Sequence, residues 1–201
     1  LVEALIRGAY RRNARPFVQI REQRLHRLLL QEMELEHLKT WASFELVQMK
    51  AMAAYIKIKG VQNLFEEADL PDLQRSQYLE HMVKPVHLET RIPDTRWCVL
   101  RYPTPGMAQA AGLSSEAFED LYFQVCNLDY AKMDTAMDAL VNRMEQADRV
   151  RISGPGTDLS FSIRHMPAIK CSGKNNLPDG EVFTAPLRDS VEGVVRYNIP
   201  A

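Results

Sequence analysis

The sequence of 201 residues predicts an α/β protein in which helices and strands alternate over the first two-thirds of the chain. Stretches rich in Leu, Glu, Met, Lys and Gln favour helices, and the short apolar runs between them end at Gly or Pro, as strands do. Strands separated by helices indicate a parallel sheet with helices on both faces, an α/β/α domain. Beyond about residue 148, Gly, Pro, Asp and Asn divide the chain into short strand-like runs. We therefore expect an α/β N-terminal domain over 1–148 and a β-rich region over 149–201.

In the first part of the chain, the sequence pattern predicts a series of helices and three strands. Helices are expected over the first dozen residues, twice within 22–54, through Gln77 to Met82, after a cap at Ser114 or Ser115, and from Tyr130 to Gln146. Strands are expected at 17–20, 55–59 and 96–102. The last helix carries an apolar stripe, for which a buried core face is favoured over a partner groove; the stripe consists of Met133, Met137, Leu140, Val141 and Met144.

The β-rich region predicts a hairpin and three further strands. The runs 150–152 and 159–163 flank the turn-forming residues 154–158, which is typical of a hairpin. Further strands are expected at 168–171, 181–184 and 194–197. Residues 174–180 are expected to form a loop with a turn at Pro178-Asp179-Gly180.

Composition excludes several classes of function. Hydrophobic residues make up 46% of the chain, charged residues 25%, and the formal net charge is −1, so no nucleic-acid-binding surface is indicated. No apolar run is long enough to cross a bilayer, and no secretory signal begins the chain. The three cysteines form no CxxC pair and favour a reducing, cytoplasmic compartment. The first residue is Leu rather than Met, and the helical pattern begins at once without a capping residue. We therefore expect both ends of the sequence to be truncated.

Common catalytic motifs are absent from the sequence. The run 154–157 lacks the Lys-Ser/Thr ending of a phosphate-binding loop, and a tight turn is the better interpretation. No two histidines have the HxxxH spacing of a zinc helix, and Lys84-Pro85 between His81 and His87 is expected to break a helix. No GxSxG elbow is present, and nothing supports Cys126 as a nucleophile.

Glu181 is the one candidate metal ligand in the sequence. It follows the Pro178-Asp179-Gly180 turn directly and begins an apolar strand. Carboxylates at a strand edge suit hard or borderline divalent ions. On spacing alone, a solvated turn residue is the favoured interpretation.

Several blocks of the chain, in this order, resemble the aminopeptidase S / aminopeptidase T family of thermophilic-type metalloaminopeptidases. The blocks are residues 97–105, 118–133, 154–163, 166–170, 176–186 and 189–193, with Glu181-Val182-Phe183-Thr184-Ala185-Pro186 as the most specific. The resemblance implies release of an N-terminal amino acid, often Leu, from peptide substrates by two divalent metal ions, zinc or cobalt. It also implies a homodimer, a mixed α+β catalytic domain that begins near residue 149, and Glu181 as a metal ligand.

The sequence departs from this family in its extent. The family's remaining ligands, a second Glu, further His residues and an Asp, come from the later half of its chain, and the first strand of its first domain is also missing here. His165 does not stand where the family places a ligand. We therefore expect this chain alone to be inactive, to bind metal weakly, and to expose apolar surface on the β-rich region. A non-catalytic α/β binding or regulatory domain and a structural or oligomerisation module remain as alternatives.

Overall fold

A computed structural model describes residues 1–197 of the chain. The helices are α1 (Val2–Arg11), α2 (Gln23–Glu32), α3 (Leu35–Ala51), α4 (Asp72–Tyr78), α5 (Ile92–Asp94), α6 (Pro105–Ala110), α7 (Ser115–Cys126) and α8 (Tyr130–Gln146), with a π-helix at Leu79–Arg91 and a 3₁₀ turn at Arg188–Ser190. The strands are β1 (Ala54–Lys59), β2 (Arg96–Arg101), β3 (Arg149–Gly154), β4 (Thr157–Ser162), β5 (Ile169–Cys171), β6 (Asn176–Leu177), β7 (Glu181–Phe183) and β8 (Glu192–Val194).

The chain groups into two compact units, each with its own buried residues. The first unit consists of Leu1–Gln48 and Asn63–Glu89. The second consists of Met49–Gln62 and the described residues from Thr90 onward. The first unit buries Leu30, Leu38, Ala42, Leu70, Met82 and Val86, and the second buries Met49, Ala108, Tyr122 and Ile163. The domain boundary that we expect near residue 148 stays a prediction.

A parallel three-stranded sheet in the order β1-β2-β6 lies in the second unit and confirms the predicted α/β class. Strands β1 and β2 pair over their whole length, which confirms the strands predicted at 55–59 and 96–102. Strand β6 has only two residues, and it extends the sheet where we predicted a loop. The Val99 N–H donates to Asn175 O at 2.8 Å, so the main chain is already engaged one residue before β6 begins.

The predicted hairpin of the β-rich region is confirmed as β3 and β4, to which β8 adds a third antiparallel strand. The strand predicted at 194–197 is wrong in its position, since β8 covers Glu192–Val194. The pairing ends there because Val194 lies opposite Asp158, one residue from the start of β4. The Arg196 N–H then donates to Thr157 Oγ1 at 3.1 Å instead of continuing the ladder.

The helix caps agree with the sequence, and the apolar stripe of α8 forms a partly buried face, since Met133, Met137, Val141 and Met144 are half-buried. Ser114 Oγ accepts from Ala117 N at 3.2 Å, and Asp129 Oδ1 accepts from Lys132 N at 3.0 Å. No residue of α8 is fully buried, and Leu140 of the stripe is 49% exposed. The strands of the described chain that α8 contacts most are β5 and β7, which have three residues each and cover a helix of 17 residues only in part.

Two further predictions about secondary structure are wrong. Residues Phe17–Ile20 form no strand, because no neighbouring strand of the described chain pairs with them; Phe17 is 77% and Ile20 93% exposed. The helix also continues through Pro85, where we expected a break. Proline lacks the main-chain N–H, and in the π-type winding of Leu79–Arg91 the missing hydrogen bond belongs to an i→i+5 pattern rather than to an α-helical one.

No helix in the described part of the chain is long and apolar enough to cross a membrane.

We predict that Gly193→Ala destabilises the β3-β4-β8 sheet. Gly193 has φ of +117°, and a Cβ at this position would lie 2.0 Å from Asp158 O. The strained backbone and the clash together should lower the free energy of unfolding by about 2 kcal/mol or more. Urea denaturation measures the loss. Gly154→Ala in β3 is the matched control, because nothing lies within 4 Å of a Cβ there, and it should change the free energy of unfolding by less than about 0.5 kcal/mol. Equal losses in the two variants would contradict the assignment of Gly193.

Candidate functional site

Glu181 is the first residue of β7 and lies opposite Cys171 of β5 in an antiparallel pair. Because side chains alternate along a strand, Glu181 and Phe183 share one face with Cys171 and Ile169. On this face Glu181 is exposed, and Ile169 and Phe183 are nearly half exposed. No ion pair within residues 1–197 involves the Glu181 carboxylate. The face therefore presents one carboxylate among apolar side chains.

The opposite face of β5 is attached to α8 by polar contacts. Lys170 Nζ lies 2.5 Å from Asp138 Oδ1 and donates to Asp134 O at 2.9 Å. The Ser172 hydroxyl donates to Asp134 Oδ1. The Ser172 hydrogen bond, followed by those from Lys170 and Lys174, lowers the pKa of Asp134 to about 2. A charged Asp134 thus ties the β5 chain to the helix.

The segment before Glu181 leaves the parallel sheet at its carboxyl edge, where β6 ends at Leu177. The Tyr122 hydroxyl, on α7, donates to Arg101 O at 2.9 Å and lies 3.4 Å from Leu177 O. It therefore joins the last residues of β2 and β6. Tyr122 is 8% exposed, and burial, followed by the neighbouring Cys126, raises its pKa to about 12. The hydroxyl keeps its proton at neutral pH and remains a donor.

Asp179 fixes the turn that leads into β7 through both its side chain and its main chain. Its carboxylate Oδ2 accepts from the Gly173 N–H at 2.9 Å, and its own N–H donates to Tyr130 Oη at 3.2 Å. The Tyr130 hydroxyl in turn donates to Val125 O at 3.2 Å. The turn is thereby held against the start of α8.

Two glycines with positive φ lie next to α8 in this segment. Gly173 has φ of +78°, and a Cβ there would lie 2.5 Å from the Tyr130 ring. Gly180 has φ of +143°, and a Cβ there would lie 3.4 Å from Met133 Sδ. The peptide between Leu177 and Pro178 is cis. Positive φ thus favours glycine at both positions, and at Gly173 the Tyr130 ring also leaves no room for a side chain.

The described residues fit one ligand of a divalent ion but not a complete metal centre. No group of three or more His, Cys, Asp or Glu side chains in the described chain is placed to hold a metal ion. Glu181 offers an exposed carboxylate, which suits hard or borderline cations. Cys171 opposite it is a poor addition, because burial and the nearby charges of Asp179 and Glu181 raise the pKa of its thiol.

The other candidates from the sequence take structural roles. Residues 154–157 form the turn of the β3–β4 hairpin, as predicted. Burial raises the pKa of the Cys98 and Cys126 thiols, so neither is prepared as a nucleophile. The Thr184 hydroxyl donates to Pro167 O at 2.9 Å, away from the face that carries Glu181.

Sequence reasoning missed Tyr130 and the part that Asp179 and Gly173 play. Asp179 is part of the predicted turn, whereas Gly173 lies just before the predicted loop of 174–180. Their contacts with Tyr130 join positions 49 and 43 apart along the chain, and no local pattern reports such contacts. A tyrosine at the first position of α8, directly after the Asp129 cap, was the available signal.

Comparison with known proteins shows similarity to bacterial metallopeptidases. The family model described as thermophilic metalloprotease (M29) matches residues 1–201. A curated relative, aminopeptidase T from Thermus aquaticus, is 35% identical over a stretch that covers 53% of this chain and 32% of the relative. A solved structure, wild-type AmpT from Thermus thermophilus, superposes with a TM-score of 0.69 at 27% identity and covers 99% of this chain. This chain spans 56% of that solved chain.

We predict that the Asp134 contacts stabilise the fold only where Asp134 is ionised. Its pKa is lower in the folded chain than in the unfolded chain, so the stabilisation is present above about pH 4 and is lost as the pH falls towards about 2. Asp134→Asn should lower the urea midpoint at pH 6 and differ progressively less from the parent protein below pH 4. The control is Asp120→Asn at an exposed carboxylate of α7, which should leave the midpoint unchanged. A constant difference between Asp134→Asn and the parent across pH 2.5–6 would contradict the assigned ionisation.

Proposed function

This chain belongs to the thermophilic metalloprotease (M29) family, and we propose that it contributes the N-terminal half of a metal-dependent aminopeptidase. The observation that supports the proposal is the family match over residues 1–201, together with an exposed Glu181 that begins β7 and makes no ion pair within residues 1–197. The proposed reaction releases N-terminal amino acids, Leu among them, from peptides. We further propose a cytoplasmic homodimer, on the basis of the family resemblance.

Glu181 is proposed as one ligand of a centre that holds two divalent ions, zinc or cobalt. Such ions polarise a carbonyl group and lower the pKa of bound water towards neutrality. The chain's own contribution is a carboxylate at the start of β7, which pairs with β5, while the turn before it is hydrogen-bonded to Tyr130 of α8. A single carboxylate leaves most coordination positions to water, so the other ligands must come from beyond residues 1–197.

The surroundings of Glu181 support a site in which this chain supplies one ligand and further chain supplies the others. Ile169 and Phe183 flank it on the open face of β5 and β7, and both are substantially exposed. In a protein of the length of the solved relative, further chain is available to cover these side chains and to approach the carboxylate. Burial of apolar surface and completion of the ligand set would then occur on the same face.

A non-catalytic α/β binding or regulatory domain is the second candidate. It is favoured by the absence of any potential metal cluster within residues 1–197. The two candidates differ in one measurable property. Only the aminopeptidase requires a divalent ion for peptide hydrolysis.

We predict that the full-length protein hydrolyses a Leu-arylamide and that this chain of 201 residues does not. Activity of the full-length protein should disappear with a chelator and return with zinc or cobalt, because the ions activate the attacking water. Release of arylamine, measured by absorbance, reports both proteins. Hydrolysis by the 201-residue chain that a chelator suppresses would refute the proposed division of the site, whereas an inactive full-length protein would favour the binding domain.

We predict that Glu181→Gln in the full-length protein lowers kcat by at least about 100-fold. The amide is a weaker ligand for a divalent cation than a carboxylate, and the loss of a ligand removes one of the two ions or displaces it. Metal content by mass spectrometry and steady-state kinetics measure the effect. Glu145→Gln on the exposed end of α8 is the control and should retain wild-type metal content and kcat. Wild-type metal content in Glu181→Gln would remove Glu181 from the site.

A further inference from the structure

Tyr130 is connected to Glu181 through two residues of main chain. Its hydroxyl accepts from the Asp179 N–H at 3.2 Å and donates to Val125 O at 3.2 Å. We propose that Tyr130 is a positioning residue for Glu181, acting through the backbone of Asp179. The proposal rests on the proposed function, in which Glu181 is a metal ligand.

The hydroxyl of Tyr130 connects three parts of the second unit. It belongs to the first residue of α8, it is bonded to the last turn of α7 at Val125, and it holds the turn before β7 at Asp179. Because one oxygen donates on one side and accepts on the other, both hydrogen bonds depend on it. Its removal leaves a partly buried main-chain donor without this acceptor.

The ring of Tyr130 adds a steric constraint to the hydrogen bonds. It packs directly on Gly173, where no side chain would fit, and the Gly173 N–H is bonded to the Asp179 carboxylate at 2.9 Å. Asp179 is therefore held by its N–H to Tyr130 and by its side chain to the residue that lies under the same ring. The position of the main chain two residues before Glu181 is fixed in this way.

Glu181 itself makes no ion pair within the described residues, so its location depends on the backbone that carries it. The ladder to β5 fixes β7 on one side, and the Asp179 attachment fixes the point where β7 begins. Groups that orient a metal ligand from behind typically alter metal affinity or activity by about 10–100-fold when they are removed. Tyr130 has the position to act in this manner without touching substrate or metal.

Tyr130→Phe in the full-length protein tests the proposal, because it removes only the hydroxyl and keeps the ring on Gly173. In the metal-free protein, we expect amide hydrogen exchange over 173–183 to accelerate by at least about tenfold. Titration of the metal-free protein with Zn²⁺ should show affinity lower by about 10–100-fold, and kcat for a Leu-arylamide should fall similarly with KM within about twofold. Tyr10→Phe on α1, an exposed tyrosine outside the second unit, is the matched control and should leave all three measurements unchanged.

The outcomes separate this proposal from the proposed function. Wild-type exchange and Zn²⁺ affinity in Tyr130→Phe would overturn the positioning role, even if the unfolding temperature fell. Faster exchange with lower Zn²⁺ affinity supports it, and neither measurement requires peptide hydrolysis. If Glu181→Gln binds Zn²⁺ as the wild type does, the metal role of Glu181 fails instead, and faster exchange in Tyr130→Phe would still establish the attachment.

Discussion

The main-chain contact between β2 and the chain around β6 is the constraint on which the candidate site depends. Val99 N–H donates to Asn175 O at 2.8 Å, and Asn176 and Leu177 continue the parallel pairing. This short pairing carries a segment from the β-rich region into the sheet formed by β1 and β2. Pro178 and the residues after it consequently start from the carboxyl edge of a parallel sheet, the edge at which α/β proteins commonly build their sites.

The segment beyond that edge has supports on two sides. Tyr122 lies against the carbonyls where β2 and β6 end, and Tyr130 holds the N–H of Asp179. Both tyrosines come from helices, whose backbones are internally hydrogen-bonded and therefore rigid supports. Glu181 follows both of these supported points and lies on an open face. The contacts therefore fix the backbone that leads to Glu181 and leave its carboxylate exposed. Under the proposed function, this arrangement would preorganise the Glu181 carboxylate as a metal ligand.

The sequence predicted the elements whose stabilising contacts are reflected in local pattern. The alternation at 55–59 and the turn residues at 154–158 specify β1 and the β3–β4 hairpin, and good helix formers specify α8. Strand β6 could not be predicted, since two residues in a polar loop carry no periodicity and their pairing depends on β2, more than 70 positions earlier. Phe17–Ile20 shows the reverse case, because its apolar pattern favours a strand but pairing requires a neighbour. The candidate site divides in the same way: a motif identified Glu181, whereas the tyrosines that hold its loop are defined only by tertiary contacts.

A ligand set divided along the chain gives the metal ions a structural consequence under the proposed function. Glu181 would then be a single carboxylate ligand, and burial raises the pKa of the neighbouring Cys171 thiol, so we expect this part of the chain alone to bind a divalent ion weakly. Binding becomes tight only when further ligands reach the open face of β5 and β7. The free energy of that binding then adds to the association of the two parts of the protein, because an ion held by both stabilises the state in which they are joined. The same ions that activate water would therefore also help to cover Ile169 and Phe183, and the attachment of Asp179 to Tyr130 would determine how much of the binding free energy is lost in ordering the loop.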